Sequence, residues 1–159
     1  MTHLDEDSSL FESVETLLFL CYGNICRSPF CERYWKKLGT SIRVKSAGFI
    51  RNNGRATPSE FQKMALNHKV DLKDHGSQFA VADLIEWADL IVLMDDHNRQ
   101  DFKAHYPDFE ELTVGLGSFL NPPRENIEDP YYLNPEQAKI VYQQMADGVL
   151  ALKSVLVPE

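Results

Sequence analysis

Cys21 and Arg27 stand six positions apart and enclose Tyr22, Gly23, Asn24, Ile25 and Cys26. Ahead of them, Leu17 to Leu20 is an apolar run of strand length that predicts a buried strand ending at Cys21. Behind them, Ser28-Pro29 predicts an N-cap and the first residue of a helix. Gly23 and Asn24 tolerate the backbone angles that a tight loop between the two requires. Such a loop can turn its N–H groups inward, and the helix adds the positive end of its dipole, so the concavity favours an anion such as phosphate. A cysteine at the base of this cradle is favoured in its thiolate form and is nucleophilic. Arg27 can grip two phosphoryl oxygens and stabilise the charge that spreads over them during transfer. Transfer of a phosphoryl group to sulfur is the chemistry these residues could perform.

Expulsion of an oxyanion from phosphorus is helped by a proton donor opposite the nucleophile, and Asp129, stiffened by Pro130, is the candidate. An Asp-Pro pair is also a common turn. Tyr131, Tyr132 and Tyr22 either line the mouth of the pocket or pack their loops against the body. Cys31 falls on an apolar helical stripe and reads as core. His75 is a lone histidine in a connection and, by composition, structural.

With 159 residues and 43% hydrophobic content, the chain is expected to form one domain, residues 15–159, behind a flexible acidic extension of residues 1–14. No apolar run reaches a membrane-spanning length and the N-terminus is acidic, so a cytoplasmic protein with no membrane partner is expected. Three cysteines do not form a disulfide framework, and the spacing of Cys21, Cys26 and Cys31 matches no common zinc or iron–sulfur pattern. No metal or cofactor is expected. The net charge of −8 is uneven: residues 1–80 carry 11 Lys/Arg and 9 Asp/Glu, residues 81–159 carry 5 and 15. From Arg27 to Arg55 there are eight basic residues and one acid, Glu32. That segment either draws anionic substrates or is a solvated basic face. No basic stripe interleaved with aromatics extends further, so nucleic acid is not expected.

The elements that must hold these residues follow from periodicity and caps. Phe30, Cys31, Tyr34, Trp35 and Leu38 recur at helical spacing and Gly39 closes that helix. Ile42 to Val44 predicts a second strand, with Ser46-Ala47-Gly48 leaving the sheet edge. Thr57-Pro58-Ser59-Glu60 predicts a capping box with Pro58 at the first helical position. Helix over Val81 to Trp87, strand over Leu90 to Met94, helix over Asp96 to His105 behind an Asp cap, and strand over Leu112 to Val114 come next. A long Gly/Pro/Asn-rich loop then carries Asp129, and Asn134 caps a last helix striped by Val141, Met145, Val149, Leu152 and Leu156. Strands separated by helices imply a three-layer α/β fold, a four-stranded parallel sheet with helices on both faces and ligands at the carboxyl ends of the strands.

The string from Cys21 to Pro29, CYGNICRSP, resembles the active-site loop of the low-molecular-weight protein tyrosine phosphatases. Ser46-Ala47-Gly48 and Asp129-Pro130-Tyr131-Tyr132 also look like that family, and the resemblance spans roughly residues 16 to 157. It implies a flavodoxin-like sheet in 2-1-3-4 order. It further implies hydrolysis of phosphotyrosine through a phosphocysteine on Cys21, with Arg27 as clamp and Asp129 as general acid and then base. Ser28 would hold the thiolate; Asn24, Ser28, Ser46 and His75 would form a supporting network. Cys26 would be the partner of Cys21 in reversible oxidation, or else a small residue packed under the loop. A monomer acting on a phosphotyrosine protein, a tyrosine kinase among the candidates, is the implied assembly. Two other readings share the loop: a protein-arginine phosphatase, which tends to have threonine in place of Ile25, and an idle phosphate-binding module. Thioredoxin-coupled arsenate reductases need a later cysteine pair, and no cysteine follows Cys31.

Overall fold

The computed structural model describes residues 8–158. Four strands, β1 (Thr16–Cys21), β2 (Arg43–Gly48), β3 (Leu90–Leu93) and β4 (Thr113–Gly115), form one sheet in the order β2-β1-β3-β4. All its pairs are parallel. Among the described residues five α-helices intervene or follow: α1 (Arg27–Lys37), α2 (Ser59–Leu66), α3 (Ala82–Trp87), α4 (Asp96–His105) and α5 (Pro135–Leu156).

β1 is buried on both faces, as a central strand of a covered parallel sheet must be. Leu17, Phe19 and Cys21 point into one core with Phe30 and Trp35 of α1, Phe61 of α2 and Met145 and Val149 of α5. Leu18 and Leu20 point into the other with Leu84 and Ile85 of α3 and Phe102 of α4. The two-residue alternation of the strand therefore distributes one apolar run over two layers. Truncation of Leu18 or Leu20 to alanine would cost about 2–5 kcal/mol.

Four local expectations change. Ser28 is not the N-cap: α1 begins at Arg27, after Cys26, which makes no side-chain cap bond. The acceptor at that helix start is instead Cys21 Sγ, to which Ser28 N donates at 3.4 Å. Ser46-Ala47-Gly48 does not leave the sheet; these residues complete β2, opposite Phe19, Leu20 and Cys21. Gly48 is needed there because a Cβ would come within 2.8 Å of Tyr22 O and 2.9 Å of Asn24 N, where the loop after β1 crosses β2. The capping box at Thr57 is not formed. Pro58 stays extended before α2, and its carbonyl accepts from Phe61 N and Gln62 N. Finally, residues 1–7 of the expected 1–14 extension lie outside the described residues, while two side chains of the remainder reach the core. Ser8–Phe11 forms a 3-10 turn, Phe11 and Val14 are buried, and the Phe11 ring meets Phe119 edge-on at 5.9 Å. The acidic composition masked these two apolar anchors.

Candidate active site

The parallel sheet gathers the ends of β1, β2 and β3 on one edge, and the loop from Tyr22 to Cys26 closes over it. Asn24 turns this loop with φ +54°, and it is fully buried. Its backbone N donates to Cys21 Sγ at 3.2 Å. Its side chain ties the loop together: Nδ2 donates to Ser28 Oγ at 2.8 Å and to Ser46 Oγ at 3.0 Å, and Oδ1 accepts from Gln78 N at 2.9 Å. His75 Nε2 lies 2.7 Å from Asn24 O. A carbonyl only accepts, so Nε2 carries the proton. Burial lowers the His75 pKa below the ordinary imidazole value against the opposing effect of that bond to Asn24. Ser46 Oγ donates in turn to Glu32 Oε1 at 2.6 Å. Hydrogen bonds thus connect Asn24 to Ser28, Ser46 and His75.

Cys21 Sγ accepts from two amides and sits 3.1 Å from Ser28 Oγ. Two amides and the Ser28 hydroxyl thus converge on this one sulfur. Arg27 is 1% exposed. Its Nη1 donates at 2.7 Å both to Asp95 Oδ2 and to Ile127 O, and its Nη2 is 3.8 Å from Asp129 Oδ2. Burial works against the guanidinium charge, but Cys21, Asp95 and Asp129 outweigh it and raise the Arg27 pKa above its ordinary value. The buried Arg27 Nε has no protein partner among the described residues. A charged donor that is buried and unpaired is costly unless an anion meets it.

Cys21, Arg27 and Asp129 open on one cavity of about 240 Å³. Gly23, Ile25, Cys26 and Ile50 form its floor and sides, and Tyr22, Tyr131 and Tyr132 stand at its rim, each substantially exposed. Tyr131 and Tyr132 meet edge to face at 4.9 Å, and Tyr131 leans on Phe61 at 6.3 Å. Asp129 is held by a local turn in which its Oδ1 accepts from Tyr131 N at 3.1 Å, with Pro130 buried behind it. Cys26 is buried, and burial, with Asp129 and Cys21 adding to it, pushes its thiol pKa well up. Cys31 is fully buried in the core, as its stripe predicts.

The structure adds residues that sequence reasoning had not joined to this site. Asp95 shows in sequence only as the cap of α4. Its Oδ1 does cap Asn98 N at 2.8 Å, while its Oδ2 holds Arg27. Arg55 lines the cavity and donates from Nη2 to Gly23 O at 2.7 Å; only its place in the basic stretch hinted at it. Gln78 crosses to the network through its backbone N and through Nε2, which donates to Ser46 O at 2.8 Å. No short motif announces a contact of this kind. Among the described residues no group of three or more His, Cys, Asp or Glu is placed to hold a metal ion, and no helix is long and apolar enough to cross a membrane.

The chain matches the family model described as low molecular weight phosphotyrosine protein phosphatase over residues 16–157. It is 33% identical to the probable low molecular weight protein-tyrosine-phosphatase EpsP of Ralstonia nicotianae, over 74% of this chain and 79% of that protein. It is 30% identical to the protein-arginine-phosphatase of Bacillus subtilis, over 72% of this chain and 79% of that protein. The crystal structure of the tyrosine phosphatase AmsI of Erwinia amylovora superposes with a TM-score of 0.83 at 28% identity, covering 91% of this chain and 94% of that one. With a family match that runs from the start of β1 past the end of α5, this chain belongs to the low-molecular-weight phosphotyrosine protein phosphatases.

Proposed function

We propose that the chain hydrolyses phosphotyrosine in proteins, with Cys21 as nucleophile, Arg27 as clamp and Asp129 as proton donor. The observation that carries this reading is the shared cavity, lined by Cys21 with two amides and the Ser28 hydroxyl around its sulfur, by the buried Arg27, whose Nε has no partner among the described residues, and by the Asp129 carboxylate. The sulfur attacks phosphorus and the P–O bond to the phenol breaks, with Asp129 supplying the proton to the departing oxygen. Asp129, now ionised, takes a proton from water as that water attacks the phosphocysteine, so phosphate leaves and the thiolate is restored. Arg27 holds the equatorial oxygens throughout.

Ile25, Ile50 and the rim tyrosines give this cavity apolar walls suited to a flat phenyl ring. A monomer of this chain acting on a cytoplasmic phosphotyrosine protein, a tyrosine kinase included, is the setting this reading implies. Turnover of an aryl phosphate in the presence of a chelator tests the chemistry. Phosphotyrosine, phosphoserine and phosphoarginine peptides then test the class. The phosphotyrosine peptide should be preferred, and Cys21→Ser should be inactive yet folded. Preference for phosphoarginine would replace this reading with that of an arginine phosphatase, and equal activity of Cys21→Ser would remove the nucleophile.

A further inference from the structure

Arg99, on the first turns of α4, is not among the residues that line the cavity, yet it binds the loop that leads to Asp129. Its Nη2 donates to Glu125 O at 2.6 Å, and its Nε donates to Asp96 Oδ1 at 3.0 Å. Asn126, next along the loop, accepts from Asp96 N on Oδ1 at 2.7 Å and returns a bond from Nδ2 to Asp96 Oδ2 at 3.4 Å. Ile127 N donates to Met94 O at 2.8 Å, and Ile127 O receives Arg27. Residues 125–127 are therefore tied in succession to residues 94–99, two positions before Asp129.

We propose that Arg99 is a positioning residue: with Asp96 and Asn126 it latches the Asp129 loop to the start of α4 and so sets where Asp129 stands over the cradle. The inference rests on the proton-donor role proposed for Asp129. Between Leu120 and Asp129 the loop forms no helix or strand, so its course depends on such ties. The inner tie, at Ile127, fixes one point; the outer tie, at Glu125 and Asn126, fixes the direction from which the chain arrives. A guanidinium is suited to this because its planar fork reaches a carboxylate and a carbonyl at once, which an ammonium on a flexible stem does less well. Room for it comes from Gly115 at the end of β4, where a Cβ would lie 3.1 Å from Arg99 Nη1. The latch is on the solvent side, with Arg99 35% and Asp96 57% exposed. Exposed pairs of this kind contribute little to global stability, so loss of the latch should show in geometry and rate before it shows in folding.

The test measures kcat/KM for phenyl phosphate and for nitrophenyl phosphate, whose leaving groups differ in their need for a proton. Arg99→Ala should lower the phenyl phosphate value on the order of ten- to a hundredfold, the scale of a misplaced catalytic group, and the nitrophenyl value by only about twofold. Its thermal midpoint should stay close to that of the native protein, and Arg99→Lys should recover part of the loss. Added to Asp129→Asn, Arg99→Ala should cost almost nothing more, since there is no longer a donor to place. Asn126→Ala, which cuts the other arm, should repeat the pattern. Equal losses on both substrates, or losses additive with Asp129→Asn, would overturn the proposal. If Asp129→Asn itself shows no leaving-group bias, the role given to Asp129 falls and the latch with it. If Asp129→Asn shows the bias and Arg99→Ala does not, the latch alone falls.

Discussion

Asn24 donates from Nδ2 to Ser28 Oγ at 2.8 Å, so the serine hydrogen is directed away from Asn24. With Oγ accepting from Asn24, its own hydrogen is left for Cys21 Sγ at 3.1 Å or for Ala47 O at 3.3 Å. A negatively charged sulfur is the stronger acceptor, so the geometry favours Ser28 as donor to the thiolate. Ser28→Ala removes one of three donors to the sulfur and leaves Asn24 Nδ2 with Ser46 alone. Turnover of aryl phosphate should fall roughly tenfold to a hundredfold, and alkylation by iodoacetate at neutral pH should slow in parallel. Unchanged alkylation would mean the hydroxyl serves the loop and not the sulfur.

Arg27→Lys keeps a positive charge at the cavity and loses the fork. An ammonium presents its donors from one point and lacks the planar fork that spans Asp95, Ile127 O and two phosphoryl oxygens, so it should settle on Asp95 and leave the substrate unclamped. Steady-state kinetics should show kcat lower by at least about three powers of ten. A variant within tenfold of the native rate would show that charge alone, without bidentate grip, accounts for the contribution of Arg27.

The layers and Cys21 at the end of β1 were legible in the sequence because each rests on local signals, apolar runs, glycines and caps, whereas the strand order came from the family resemblance. The limits of local reading show at Ser28. Its type and its Ser-Pro context mark an N-cap, yet the acceptor that α1 uses comes from Cys21, seven residues back, which only the folded loop brings there. Asp95 is the converse case. Sequence gives its cap to Asn98, one oxygen's worth of its chemistry, while the second oxygen goes to Arg27 at a separation of 68 residues. Phe11 and Val14 were hidden by acidic neighbours, because composition averages over a segment whereas burial depends on two side chains. Ser46-Ala47-Gly48 was visible as a string, but its reason, the close crossing of the loop over Gly48, is a contact between that loop and β2.

His75 links the site to pH through stability. Burial lowers its pKa from the ordinary value of 6.5, so the folded chain prefers the neutral ring and the unfolded chain binds the proton more readily. The unfolded state then holds more protons at acid pH, and stability falls as pH drops below that ordinary value toward the folded one; above it the contribution is fully present. His75→Gln keeps an N–H donor for Asn24 O and removes the titration. Between roughly pH 7.5 and pH 5 the native thermal midpoint should therefore fall further than that of His75→Gln. Parallel declines would show that other groups dominate the acid response.

Cys26 lies five residues after Cys21 under the same loop, and oxidation tests what it does there. Hydrogen peroxide breaks its O–O bond on the Cys21 thiolate to give a sulfenic acid, releasing the second oxygen as hydroxide. A thiolate at Cys26 can then attack the Cys21 sulfur, forming S–S as the S–O bond breaks and hydroxide leaves; solvent protonates both hydroxides. We predict that this capture occurs and that it is slow at neutral pH, because burial pushes the Cys26 thiol pKa well up and Asp129 adds to that effect. The attacking thiolate grows about tenfold per pH unit below the pKa, so capture should accelerate as the solution is made more alkaline. After peroxide and then a thiol reductant, the native protein should recover most of its activity and Cys26→Ala much less. The protected fraction in the native protein should rise from about pH 7 to about pH 9. Equal recovery in both proteins, or mass spectra that join Cys21 to Cys31, would assign Cys26 to packing alone.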